Sequence, residues 1–189
     1  MSLESNQLPP SRDMVSIEHT WKLEDIFKTD KLWEQTLEDV KSIIPTIKVY
    51  EGIISNNPKS LFECLTLIDS ISYDIERLYV YANMKLHEDG NNSYYQSLAD
   101  IAQATLTKFS SEAAFIEPEI LTMSKETIDK YIDKFPSLEL YKHYLYKLLD
   151  KKNHILDGST EKLLSQVSDF AKSPSNIYAM FNNADITFP

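Results

Sequence analysis

Apolar positions recur along this chain with helical spacing. Between Trp33 and Ile54 the apolar residues are Trp33, Leu37, Val40, Ile44, Ile47, Tyr50 and Ile54. Steps of three and four place them on one face of a helix, the stripe that packs on a neighbouring helix. Pro45 falls inside this stripe. Proline lacks an amide hydrogen and clashes with the turn before it, so a kink or a break just before Pro45 is expected. Asn57-Pro58 supplies a capping side chain followed by proline at the first helical position. A long stripe follows through Leu61, Leu65, Ile68, Ile71, Ile75, Leu78, Ala82 and Leu86, and stops before Gly90. Ser93 and Gln96 have the spacing of a capping box. The next stripe runs through Tyr94, Leu98, Ile101, Thr105, Phe109, Ala113 and Ile116. Two long helices joined by a short turn at His87–Asn92 should form an antiparallel hairpin.

On either side of this pair the elements are shorter. Trp21 to Phe27 is a brief amphipathic piece, with a helix cap expected at Thr29-Asp30. After Pro118, Ser124 is placed to cap a helix reaching about Lys134, and Pro136 breaks it. Leu138, Tyr141, Tyr144, Leu145 and Leu148 stripe the following helix, whose end is basic at Lys147, Lys151 and Lys152, as the helix dipole favours. Asp157-Gly158-Ser159 turns into a helix carrying Leu163, Leu164, Val167, Phe170 and Ala171. Ser173-Pro174 opens one more, covering Ile177 to Phe181. Asp185 to Pro189 reads as one short strand. A lone strand leaves its backbone groups without partners, so a truncated strand is expected there, and with it a chain cut from a longer protein. The expected fold class is therefore all-α: an antiparallel helical bundle built round the long hairpin. Residues 1–18, polar and carrying Pro9 and Pro10, are expected to be a flexible tail, and 19–189 one helical lobe.

Composition removes several function classes. The chain has 189 residues with three glycines, Gly52, Gly90 and Gly158, spread far apart. A phosphate-cradling loop or dinucleotide fingerprint needs several glycines together, so neither is present. The formal net charge is -10 with no cluster of Lys and Arg. Nucleic acid and anionic membrane surfaces are therefore not expected partners. No apolar run approaches the roughly 18 residues needed to cross a bilayer, and no secretory leader pattern opens the chain. One cysteine, Cys64, excludes an intramolecular disulfide and a cysteine-built zinc site, and fits a reducing cytoplasm.

Candidate chemistry is sparse. The histidines are His19, His87, His143 and His154. His87-Glu88 matches the first half of an H-E-x-x-H zinc motif, but the fourth residue after His87 is Asn91, which removes the second ligand. His87 then reads as a polar residue at the hairpin tip. His143, between tyrosines, is expected to be partly buried and hydrogen-bonded, and His154 to complement a helix end. Cys64 lacks the positive surroundings that make a thiol reactive, so it reads as a buried filler. The carboxylates Glu117/Glu119 and Asp69/Asp74/Glu76 show no spacing that singles out an acid–base pair, and solvated helix faces account for them. The many tyrosines suit helix seams; the sharper reading has some of them lining a peptide-binding wall. No catalytic, cofactor-binding or metal residue is expected in this chain.

Seven segments, in order, resemble a known family. They are Trp21-x-Leu23-x-Asp25-Ile26-Phe27, the helix of Trp33, Leu78-Tyr79-Val80-Tyr81-Ala82, Phe115-Ile116-x-Pro118-Glu119-Ile120-Leu121, Lys152-x-His154-x-Leu156, Glu161-Lys162-Leu163-Leu164 and Asn183 to Pro189. From about residue 17 onward they are similar to the N-terminal region of the oligoendopeptidase F family, zinc peptidases related in fold to thimet oligopeptidase. The resemblance implies a cytoplasmic metalloendopeptidase acting on short peptides. It implies a helical lobe forming one wall of a deep channel that keeps folded proteins from the metal. The family's H-E-x-x-H helix and further glutamate lie beyond the matched region, so zinc and the metal-activated water belong to the rest of the protein. The chain by itself is then expected to be inactive. Its partners would be the downstream catalytic part and, in the whole protein, short peptides. An apolar face left open would dock that downstream part and promote self-association of the piece. The alternative is a stand-alone helical adaptor whose hairpin presents a groove to a partner helix.

Overall fold

The computed structural model describes residues 14–90, 92–152, 174 and 178. The chain divides into two compact units, Met1–Tyr146 and Lys147–Pro189. The described residues are mostly helical, and no strand occurs among them. The helices expected from Ser159 onward and the strand expected at 185–189 lie outside the described residues.

Short 3-10 turns at Ile17–His19 and Leu23–Asp25 precede the first helix. Helix α1 spans Asp30–Ile43, and the Thr29 hydroxyl accepts from the Leu32 amide at 3.3 Å, the cap expected from the sequence. It buries Trp33, Leu37 and Val40. The α-helix stops at Ile43, and the chain tightens into a 3-10 segment, Ile44–Tyr50, with Pro45 in its first turn. The apolar stripe survives the change of helix type, since Ile44, Ile47 and Ile54 are all fully buried. Gly52 then takes φ +80°, a left-handed conformation in which a Cβ would be strained.

Asn57 and Pro58 start α2, Pro58–Glu88 (31 residues), and the Asn57 side chain accepts from the Lys59 amide at 2.9 Å. At about 1.5 Å per residue α2 is roughly 46 Å long. Leu61, Leu65, Ile71, Ile75, Leu78 and Ala82 of the expected stripe are buried, and so are Cys64 and Tyr81. Each fully buried Leu or Ile contributes about 1.5–3 kcal/mol relative to exposure. Residues 89–92 lead into α3, Ser93–Ala113. Its cap is not the expected box on Ser93. Asn92 is the cap, and its side-chain oxygen accepts from the amides of Tyr94 at 3.0 Å and Tyr95 at 3.4 Å. Asparagine caps at least as well as serine, so the neighbour already in extended backbone takes the role. The Gln96 side chain instead donates to the Gly90 carbonyl at 2.8 Å.

The α3 stripe also ends earlier than its spacing suggested. Ile116 belongs to a separate helix, α4 (Ile116–Leu121), with Pro118 in the first turn, where no amide hydrogen is needed. Helix α5, Lys125–Lys134, is capped by Ser124, whose hydroxyl accepts from the Thr127 amide at 3.2 Å. Phe135 leaves helical backbone ahead of Pro136, as residues before proline do. A 3-10 segment, Pro136–Tyr141, then leads into α6, Lys142–Lys151. Helix α2 carries the core of the first unit. It packs against α1, α3, α5 and the two 3-10 segments at 44–50 and 136–141. Among the described residues no buried side-chain nitrogen or oxygen lacks a hydrogen-bond partner. In the second unit the described residues are 147–152, at the end of α6, with Pro174 and Tyr178, both helical.

Candidate functional site

The candidate residues of the sequence lie on several different elements. His19, His87 and His143 are exposed. For His143 this overturns the expected partial burial: it follows Lys142 at the start of α6, on the side away from the core that Tyr141 and Leu145 enter. His154 lies outside the described residues. Cys64 is completely buried, and burial pushes its thiol up to about 11, with the Glu119 carboxylate acting in the same direction. It therefore stays protonated and inert at neutral pH. Among the described residues no three His, Cys, Asp or Glu side chains are grouped so as to hold a metal ion.

Three of the five carboxylates in the two sets take separate partners. Asp69 accepts a hydrogen bond from the Tyr141 hydroxyl at 2.7 Å, and Asp74 stands 3.4 Å from Arg77. Glu119 points back into the chain. Its two oxygens accept from the Gly52 amide at 2.8 Å, the Ser55 amide at 3.0 Å and the Ser55 hydroxyl at 3.1 Å. Tyr131 adds a bond from its hydroxyl to the Ser55 carbonyl at 2.8 Å. A carboxylate from α4 and a phenol from α5 thus hold the loop that starts α2. Sequence spacing gave no sign of this, since the partners are more than 60 residues apart. Glu76 and Glu117 remain exposed, and neither has an ion-pair partner among the described residues.

Most tyrosines serve seams. Tyr81 donates to Asp30 at 2.6 Å and Tyr94 to Glu34 at 3.3 Å, while Tyr146 bonds Asp129. Arg77 is held against the ring of Phe27, 4.5 Å from its centre, and donates to the Ile26 carbonyl at 2.7 Å. Tyr79 and Tyr144 differ. They line two neighbouring clefts of the first unit that share Phe109 and are taken together as the two halves of one groove. One half is lined by Ser72, Ile75, Glu76, Tyr79, Leu106 and Phe109. The other half shares Phe109 and continues past Ile68, Ser110, Ala113, Ile116 and Glu117 to Tyr144. Ile75, Phe109 and Ile116 are buried and form the floor. Burial and then the Glu117 carboxylate hold the Tyr144 hydroxyl above the ordinary phenol range.

Comparison with known proteins places these helices in a family. The family model described as Oligopeptidase F matches residues 119–188. Oligopeptidase PepF of Bacillus subtilis is 38% identical over 186 residues, covering 98% of this chain and 28% of that protein. An oligoendopeptidase F homolog of Lactococcus lactis is 37% identical over 180 residues, 95% of this chain and 30% of that protein. The crystal structure of oligoendopeptidase-F from Enterococcus faecium superposes with a TM-score of 0.69 at 28% identity, covering 85% of this chain and 31% of that one. The chain belongs to the oligoendopeptidase F family and matches its N-terminal region. It spans less than a third of the length of these relatives.

Proposed function

We propose that this chain is the non-catalytic N-terminal lobe of a cytoplasmic zinc metalloendopeptidase of the oligoendopeptidase F type, which hydrolyses short peptides. The observation that carries this reading is one of proportion: 38% identity runs over 98% of the chain but over 28% of the relative. Residues 19–189 would be the lobe and 1–18 its tail. In this reading α2 and α3 form an antiparallel hairpin, supported by the four-residue link at 89–92 and by Lys85 standing 5.4 Å from the Tyr95 ring. The lobe walls the substrate channel and limits access to it. The described residues offer no donor set that fits zinc, so no chemical step is assigned to them. No helix among them is long and apolar enough to cross a membrane, which is compatible with the cytoplasmic placement.

Incubation of the 189-residue chain with zinc and a quenched fluorescent peptide is expected to give no cleavage above the blank. Chelator-sensitive turnover would overturn the assignment. The coding frame supplies the second arm. Continuation past Pro189 into an H-E-x-x-H segment supports the peptidase reading, and a stop codon there favours the helical adaptor.

A further inference from the structure

The groove between α2 and α3 has a chemistry of its own. Its floor is apolar: Ile75, Leu106 and Phe109 in one half, Ile116 in the other. Its exposed charged residues are both acidic, Glu76 in one half and Glu117 in the other. Among the described residues neither carboxylate is ion-paired and no Lys or Arg lines the groove. From Ile68 to Tyr79 helix α2 advances about 16 Å at about 1.5 Å per residue. That is the length of roughly five residues of extended peptide at about 3.3 Å each. Ser72 and Ser110 add hydroxyls along the way, and Tyr79 lines one half and Tyr144 the other.

We propose that this groove binds an extended peptide segment whose apolar side chains fill the floor and whose flanking Lys or Arg residues meet Glu76 and Glu117. The inference rests on the peptidase reading above and names the class of peptide the lobe prefers. Charge complementarity decides the occupant. An acidic segment entering this groove would meet two carboxylates on a chain of net charge -10, with no cation among the described lining residues to offset them. Apolar burial alone would not discriminate between peptides, so the carboxylates carry the selectivity.

The test uses two fluorescein-labelled pentapeptides, KLFLK and ELFLE, titrated with the 189-residue chain and followed by fluorescence anisotropy. KLFLK is expected to bind about tenfold tighter, the scale two exposed ion pairs allow. The double variant Glu76→Lys/Glu117→Lys should abolish or invert the preference. The double variant Asp100→Lys/Asp133→Lys changes the net charge equally at exposed positions outside the groove and should keep it. All four sites are exposed, and matching circular dichroism spectra establish that the variants are folded. Equal binding of the two peptides overturns the proposal. So does loss of the preference in the Asp100/Asp133 variant, which would make the attraction a general charge effect. A dimer in sedimentation that Glu76→Lys/Glu117→Lys dissolves would assign the groove to a second copy. Loss of KLFLK binding in the full-length gene product would assign it to the remaining polypeptide. Failure of the peptidase reading shows separately, in the coding frame, whatever the titration gives.

Discussion

The indole nitrogen of Trp33 donates to the carbonyl of Leu78 at 2.9 Å inside the core, joining α1 to the middle of α2 across 45 residues of sequence. Trp33 is 1% exposed. An indole N–H buried without an acceptor would carry a desolvation cost, and the Leu78 carbonyl, whose second lone pair is left over by the helix bond, removes it. Trp33→Phe should therefore cost about 1–2 kcal/mol, the hydrogen bond plus a modest void. Trp33→Ala should cost about 3–5 kcal/mol. Urea unfolding followed by circular dichroism reads both. Equal stability of Trp33→Phe and the parent would show that the bond contributes nothing.

The Glu119 carboxylate organises a loop that contributes no apolar core of its own at Gly52 and Ser55. Glu119→Ala leaves three donors without their acceptor. The Gly52 end is exposed and water replaces the carboxylate there, so a loss of about 1–2 kcal/mol is expected, towards the lower end for charge-assisted bonds. Hydrogen exchange gives the sharper reading. The amides of Gly52 and Ser55 should exchange faster in the variant, while those in the middle of α2 keep their protection. Unchanged exchange at 52–55 would remove the carboxylate from this role.

Alkaline pH should destabilise the unit through Tyr81. Burial foremost, then the hydrogen bond to Asp30 and its charge, raise the Tyr81 hydroxyl well above its ordinary value near 10. In the unfolded chain the phenol ionises from about pH 10. Above that pH the unfolded state has released a proton that the native state keeps, so stability falls as pH rises. Below pH 10 the contribution is fully present. Tyr81→Phe should lower stability at pH 7 by about 1–2 kcal/mol through loss of the bond to Asp30, and should flatten the decline between pH 10 and 11. Thermal unfolding across pH 7–11 measures both effects. An identical alkaline slope in the variant would move the cause to other tyrosines.

Local signals in the sequence were enough to place several of these elements. The α2 stripe from Leu61 to Ala82, the end of α1 before Pro45, and the starts at Asn57-Pro58 and Ser124 are each set by a few neighbouring residues, and all appear in the structure. Cys64 was legible for the same reason, since nothing nearby stabilises a thiolate. The cap of α3 is not decided by local sequence, because Asn92 and Ser93 are both competent and the choice depends on backbone direction after the turn. Ile116 reads as part of α3 because a two-residue break leaves helical spacing almost unchanged. His143 reads as half-buried because the flanking tyrosines suggest a seam, whereas the helix leaves it exposed. The Glu119 clasp and the groove were not legible at all. Both need residues from distant segments to meet, and no periodicity encodes that meeting.

Helix α2 has one further consequence. Each helical residue adds about 100° of rotation. One residue inserted near the middle of Pro58–Glu88 would turn Leu78 away from Trp33, or Ile75 away from Leu106 and Phe109, while leaving composition and hydropathy almost untouched. The rod works as a fixed-phase shaft to which its neighbours are indexed. Changes of length are tolerated at its far end, in 89–92, but not in 51–56, where Ile54 is buried and Glu119 holds Gly52 and Ser55.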